Sequence, residues 1–263
     1  MNTYKYIISG VSNKPMRIVV LKRKTIVTIA FIAILFLFSV FYSVLNFIKS
    51  TNNNSCSKLI VVDPGHGGID GGTSLQGVLE KDINLYIAQK LKSYLQVKKF
   101  EVKMTRDRDI SLDEYSKSGS TRHLRDLNAR VNIINSSNAK LFLSIHVNCH
   151  LKNPSANSAI VFFSNKTPES KSLAYSLQKE LNSITINGNK RCEHQPQPAD
   201  YFILNNAQIP GVIVETAFIS NDYDRSLLKT NEFKDELAKA IAVGVENYYS
   251  ENLSNIPSVL SAQ

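Results

Sequence analysis

The chain has 263 residues, 43% of them apolar, enough for one globular domain with a proper core and something more besides. The formal charge of +9 invites a nucleic-acid reading, but its distribution excludes one: residues 1–58 hold eight Lys/Arg and no acid, whereas 23 basic residues face 22 acidic ones from Leu59 onward. The basicity belongs to the N-terminus, which suits membrane topology and argues against a nucleic-acid partner. Three cysteines, Cys56, Cys149 and Cys192, make no CxxC pair and no dense framework.

In chain order, residues 1–25 form a basic segment read as cytoplasmic, ending in Lys22-Arg23-Lys24. Ile26–Ile48 is then apolar for 23 residues, broken only by small or weakly polar ones and by Asn46. About 20 such residues span a bilayer. The positive-inside rule places the N-terminus in the cytoplasm and the remainder outside. Phe41, Tyr42, Leu45 and Phe47 stand where a small-x-small cleavage site is needed, so 26–48 reads as an uncleaved transmembrane signal-anchor. Met16, with the charges from Arg17 to Lys24 behind it, is a second candidate initiator. Residues 49–58 (KSTNNNSCSK) read as a polar linker, 59–250 as the catalytic domain and 251–263 as a disordered tail.

The domain opens with Leu59–Gly72, LIVVDPGHGGIDGG. A short apolar run closed by Asp-Pro-Gly predicts a buried strand entering a loop that carries His66 among glycines. Glu80-Lys81-Asp82 start an amphipathic helix with Ile83, Ile87, Leu91 and Leu95 at helical spacing. Phe100–Thr105 reads as a second strand and Arg106–Gly119 as a long surface loop. Arg122–Asn135 is a helix, Leu141–Val147 a central strand, Ala159–Phe163 a fourth strand, and Pro168–Leu181 a helix with Pro at its start. Lys190–Asp200 is an irregular loop, Tyr201–Leu204 a short strand and Val212–Glu215 a buried strand. Helices over Asp224–Lys229 and Phe233–Tyr249 finish the domain. Strands alternating with helices predict a three-layer α/β/α sandwich with a mainly parallel mixed sheet, preceded by one transmembrane helix.

Ligands bind off the carboxyl ends of strands in such sheets. His66, His146 and Glu215 each follow or end a predicted strand and converge on one edge. Taken singly, His66 is an ordinary loop histidine and Glu80 an acid favoured by the helix dipole. As a group, two histidines and a carboxylate with an open fourth position make a hydrolytic zinc site. His66, His146 and Glu80, which heads the helix leaving the first loop, are the candidate metal ligands. Glu215 ends the apolar run Val212–Val214, where an acid is costly unless paired or functional, and is the candidate proton carrier. His123, His150 and His194 read as surface or loop residues, and Cys149 as packing. A Cys149–Cys192 disulfide is compatible with an extracytoplasmic domain.

VVDPGHGG, LEKD, SIHVN and IVETAFISN, in this order and spacing, closely resemble the zinc-dependent N-acetylmuramoyl-L-alanine amidases of bacterial cell walls over about Leu59–Tyr249. The resemblance implies zinc held by His66, Glu80 and His146, with Glu215 as the catalytic carboxylate. It implies a peptidoglycan substrate, cut between the lactyl group of N-acetylmuramic acid and L-alanine. Leu127, Arg130 and Asn135 match a further family segment, LxxRxxxxN, taken as structural. Within the family the chain is most similar to the germination-specific, spore-cortex amidases, through LEKD, the stretch Met104–Asp109 and the insert before Arg130. Their products are stripped muramic acids that form muramic-δ-lactam. An accessory protein of unknown identity is a further possible partner. Where the family usually has Glu-x-Gly-Phe, Ala217 replaces the glycine, which implies tuning rather than loss. The competing readings are a wall-binding scaffold without turnover and a zinc peptidase or deacetylase.

Overall fold

The structure, a computed structural model, describes residues 3–5, 20–53 and 58–254. Met16, Cys56, most of the N-terminal basic segment, the end of the proposed linker and most of the proposed tail lie outside the described residues. The chain forms two units, Met1–Cys56 and Ser57–Gln263. In the first, Thr3–Lys5 pairs antiparallel with Val20–Lys22, and helix α1 (Arg23–Asn53) follows. Its stretch Lys24–Leu45, 22 residues, is long and apolar enough to cross a membrane. The large apolar side chains from Val27 to Leu45 are exposed, as on a helix apolar on every side. The helix runs past Ile48 into the segment read as linker, because Lys49–Asn53 holds no Gly or Pro to stop it.

In the second unit a six-stranded sheet is built from β1 (Leu59–Pro64), β2 (Glu101–Met104), β3 (Leu141–Asn148), β4 (Ile160–Phe163), β5 (Gln197–Pro198) and β6 (Gly211–Phe218). Their spatial order is β5-β4-β6-β3-β1-β2. β2, β1, β3 and β6 are mutually parallel, and β4 runs antiparallel to β6. The sheet is therefore mixed and mainly parallel, as the alternation of elements predicts.

The two-residue period of the strands sorts the core into two layers. Ile60, Val62, Leu141, Leu143, Ile145, Val212 and Val214 pack on α2 (Glu80–Val97), α4 (Pro168–Asn182) and α7 (Asn231–Ser254). Val61, Phe142 and Ile213, on the other face, pack on α3 (Arg122–Asn135) and α5 (Phe202–Asn206). Thr121 caps α3 by accepting from Leu124 N–H, and Asn221 caps α6 (Asp222–Leu228). α7 continues to Ser254, past the start of the segment read as tail, since Glu251–Ser254 contains no helix breaker.

Two expectations change. Tyr201–Leu204 is not a strand: Phe202–Asn206 is helical and buries Ile203 and Leu204 against α3. Four consecutive apolar residues carry no period, so their burial is readable and their geometry is not. The Arg106–Gly119 stretch is not wholly a surface loop either. Arg106 and Leu112 are buried, and Asp113–Tyr115 forms a 3-10 turn.

Beneath the His66 loop lies a buried ionic layer. Asp63 is fully buried and accepts from Arg130 Nη1–H at 2.7 Å, Thr105 Oγ1–H at 2.5 Å and Ser144 Oγ–H at 2.6 Å. Arg130 Nε–H also donates to Asp126 at 2.6 Å. Burial alone would raise the Asp63 pKa, but the Arg130 charge and the two hydroxyls outweigh it and hold the carboxyl below its ordinary 3.8. Replacing Arg130 by Met should therefore leave an uncompensated buried charge and lower the unfolding free energy by about 3–5 kcal/mol, read by urea denaturation near neutral pH. A depressed carboxylate stabilises above its unfolded value, and that contribution is lost as pH falls through the folded value. The parent should accordingly lose stability below about pH 4 more steeply than Arg130→Met.

Candidate metal centre and active site

The sheet register brings the site together. Pro64 lies opposite Ile145, and Gly65 N–H donates to Ile145 O at 2.9 Å, which carries the ladder one residue past β1. His66 then turns out of the sheet at φ 61°, a left-handed conformation that non-glycine residues rarely adopt. Arginines hold the turn in place. Arg130 donates to Pro64 O at 2.8 Å and His66 O at 2.7 Å; Arg106 donates to Pro64 O at 3.0 Å and Gly65 O at 2.9 Å.

Glu80 is the first residue of α2, where its charge suits the helix dipole. It is only 3% exposed, so the dipole is not its whole role. Its Oε2 accepts from Thr73 N–H at 2.8 Å, and its Oε1 accepts from Val147 N–H at 3.2 Å. His66 Nε2 and His146 Nδ1 each stand 3.2 Å from that same Oε1. One donor atom from each of the three residues falls within a 4.8 Å span. Bonds of about 2.0–2.1 Å in a tetrahedron put ligand atoms roughly 3.3 Å apart, so the two measured separations fit a zinc-sized ion. The nitrogen, nitrogen and oxygen donor set is also one that zinc takes.

Two glycines leave room for these ligands. A Cβ on Gly65 would sit 2.2 Å from His146 Cε1, so the imidazole occupies the space a side chain would fill. A Cβ on Gly72 would sit 2.7 Å from both Glu80 Oε2 and His66 Cδ2. The structure shows that Gly65 serves His146, a residue 81 positions away.

Glu215 lies opposite His146 in the β6–β3 register, and the register shifts between Glu215 and Phe218. Its Oε2 is enclosed and has no hydrogen-bond partner. Burial pushes the carboxyl up to about 7; the His146 field opposes this and the Glu80 charge adds to it. For His66, burial works against protonation, but Glu80 and Asp70 outweigh it and raise the ring to about 9. Glu80 is held well below the usual carboxylate range by the two imidazoles, against the effect of burial. Two imidazoles around an anionic carboxylate form a site where a cation can take the place of a proton.

The remaining candidates stay apart from this group. His150 Nδ1 accepts from Asn153 N–H in its own loop, and His194 Nε2 contacts Asn157 O. His123 is exposed at the start of α3. Cys149 and Cys192 are free, so the disulfide does not form: Cys149 packs against the core while Cys192 is exposed. The Ala217 methyl is fully buried within the main core, so the glycine-to-alanine difference is absorbed by packing. Residues that sequence reasoning passed over are Asp70, Asn84 and Arg106. Asn84 Nδ2–H donates to Gly65 O at 3.3 Å and to Glu80 Oε1 at 3.4 Å, and its place one helical turn after Glu80 was the available signal; Asp70, in the loop, carried none.

A layered α/β sheet carrying a His/Glu/His donor set beside an unligated buried carboxylate has the plan of a metal-dependent hydrolase. The family model for N-acetylmuramoyl-L-alanine amidase matches residues 60–247. The germination-specific N-acetylmuramoyl-L-alanine amidase of Bacillus subtilis (strain 168) is 34% identical over 224 residues, 85% of this chain and 93% of that protein. The amidase LytC of the same organism is 33% identical over 198 residues, covering 75% of this chain and 36% of its own. The CwlD amidase from Clostridioides difficile, solved in complex with the GerS lipoprotein, superposes with a TM-score of 0.66 at 33% identity, covering 74% of this chain and 99% of that one. The chain belongs to the N-acetylmuramoyl-L-alanine amidase family.

A comparison of two glycines checks the packing argument. Gly65→Ala should displace the His146 ring and lower the zinc content measured by atomic emission. Gly71→Ala, whose Cβ would meet only Leu79 Cδ2 at 3.7 Å, should leave it unchanged.

Proposed function

We propose that this amidase is a zinc enzyme of the spore cortex, with His66, Glu80 and His146 as metal ligands and Glu215 as the catalytic carboxylate. The observation that carries the assignment is the convergence of three donor atoms beside a half-buried acid whose Oε2 is enclosed and unpartnered. When bound there, zinc supplies Lewis acidity, which polarises a carbonyl and acidifies water. Glu215, with a carboxyl near 7, takes the proton of the attacking water and delivers it to the leaving L-alanine amine. His66 Nε2 and His146 Nδ1 face Glu80 Oε1, and the Arg106 and Arg130 contacts hold the loop that carries His66.

The proposed catalytic unit is 59–250, held at a membrane through 26–48 with its active site on the extracytoplasmic side. The similarity to the germination-specific Bacillus amidase supports a role in cortex peptidoglycan. The GerS lipoprotein bound to the C. difficile amidase supports testing a lipoprotein as the accessory partner. Digestion of purified peptidoglycan should yield free L-alanine amines beside lactyl-muramic residues. Expression in a spore former lacking its own germination-specific amidase should restore muramic-δ-lactam. Products cut within the stem peptide would replace this reading with a peptidase.

Metal binding and catalysis should separate by mutation. His66→Ala, Glu80→Ala and His146→Ala should each lower zinc content, because each deletes one of three protein ligands. Glu215→Gln keeps the side-chain shape and removes the basic oxygen. It should stay folded and zinc-loaded while turnover on muropeptides falls ~10²–10⁴-fold. Full activity in a folded, loaded Glu215→Gln protein would eliminate Glu215 as the proton carrier.

A further inference from the structure

The two histidines of the metal centre are oriented by different means. The His146 ring lies over Gly65 and is fixed by contact. His66 lies against Gly72 in the same way, but its other nitrogen also meets a carboxylate. Its Nδ1 stands 2.9 Å from Asp70 Oδ2, while Nε2 faces Glu80. Asp70 Oδ1 accepts from Gly72 N–H at 3.1 Å. The turn that carries Asp70 is closed on itself: Gly67 N–H donates to Asp70 O at 2.8 Å, and Asp70 N–H donates to Gly67 O at 3.1 Å. Asp70 thus has little freedom to leave His66.

An ionised carboxylate only accepts hydrogen bonds. Opposite it, His66 Nδ1 keeps its proton, so the proton that a metal displaces is the one on Nε2, whose lone pair then faces the metal. We propose that Asp70 is a positioning residue of the metal centre, whose two oxygens accept from His66 Nδ1–H and Gly72 N–H together and so fix the imidazole tautomer and ring angle that aim Nε2 at the metal. This rests on the reading of His66, Glu80 and His146 as ligands. Gly72 is also the residue that gives His66 and Glu80 their space, so the same carboxylate sets the ring and the backbone beside it. Carboxylates in this relation to ligating histidines raise metal affinity about 10–100-fold.

The geometry supplies a sharp test, because the two donors need two acceptors. An Asn at position 70 has one. If its oxygen stays on Gly72 N–H, its amide NH₂ faces His66 Nδ1 and stabilises the tautomer with the proton on Nε2. If the amide is turned over, two N–H groups face each other at Gly72. Ala offers neither group, and water can accept from Nδ1–H. Asp70→Asn should therefore bind zinc more weakly than Asp70→Ala, although it is the smaller change in shape.

The measurement is zinc affinity of the full chain in detergent, by competition with a chromophoric chelator, for the parent, Asp70→Asn, Asp70→Ala and His66→Ala. Thermal melts of the metal-free proteins accompany it. The expected result is a loss of about 10–100-fold in Asp70→Asn, a smaller loss in Asp70→Ala, and metal-free melting close to the parent in both. Parent-like affinity in Asp70→Asn would overturn the proposal. So would a larger loss in Asp70→Ala than in Asp70→Asn, or a metal-free melting temperature that falls in step with zinc affinity, since either marks a purely structural role. A parent that binds no zinc, or a His66→Ala protein that binds it unchanged, would overturn the metal centre itself and the role of Asp70 with it.

Discussion

The site depends on two buried guanidinium groups. The loop that follows β1 leaves the sheet at a sharp angle, and its carbonyls turn into the protein where no strand can pair with them. Arg130 takes Pro64 O and His66 O; Arg106 takes Pro64 O and Gly65 O. Each arginine is anchored away from the loop, Arg130 by Asp63 and Asp126 and Arg106 by the backbone carbonyls of Lys81 and Arg108. A guanidinium suits this task because its five donors lie in a fixed plane and remain charged when buried. The positive φ at His66 is sustained by that scaffold, since a left-handed non-glycine residue persists only where its surroundings over-determine it.

Space around the ligands is the complementary constraint. Gly65 lies beside His146 at the point where the β1 ladder ends, and Gly72 lies against both His66 and Glu80. The proposed metal centre, drawn from the loop after β1, from β3 and from the start of α2, brings these backbones closer together than side chains permit. The sheet supplies the remaining precision. β3 fixes His146 by its ladder to β1 and β6, and α2 fixes Glu80 by packing Ile83, Ile87, Leu91 and Leu95 on the opposite sheet face. Ligands borne on packed strands and helices are held more tightly than ligands on loops. His66, on the loop, is the proposed ligand with a carboxylate behind it.

How much of this was readable in the sequence follows from how local each cause is. The core strands were legible as short apolar runs closed by turn residues and α2 by its helical period, and their alternation predicted the layers. Glu215 stood out because an acid ending an apolar strand demands a reason; Glu80 alone fits the helix dipole and was singled out only beside His66 and His146. The contact between Gly65 and His146 joins residues far apart in sequence and leaves no local pattern. Arg106 looked like surface because charged neighbours, Asp107 and Arg108, surround it, and only the fold shows its side chain pointing inward. Tyr201–Leu204 was misread because a four-residue apolar run fits one turn of helix as well as a strand.

The sheet face that carries the site also explains why two of its carboxylates behave differently. Asp63 and Glu215 lie on the same face in adjacent rows, Asp63 opposite Ser144 and Glu215 opposite His146. Burial raises both pKa values. Asp63 has Arg130 and two hydroxyls against it and is driven down; Glu215 has an unpartnered oxygen and is driven up to about 7. An arginine one row higher would satisfy Glu215 and keep it ionised, which would stabilise the fold and leave a poor carrier of protons near neutral pH. Leaving a buried polar group without a partner costs about 1–3 kcal/mol. The chain keeps that cost at Glu215 and places its guanidinium one row below, on Asp63. Two neighbouring acids thereby differ in kind: Asp63, held low by Arg130, anchors the guanidinium that binds the loop, and Glu215, pushed up to about 7, is the proposed proton carrier.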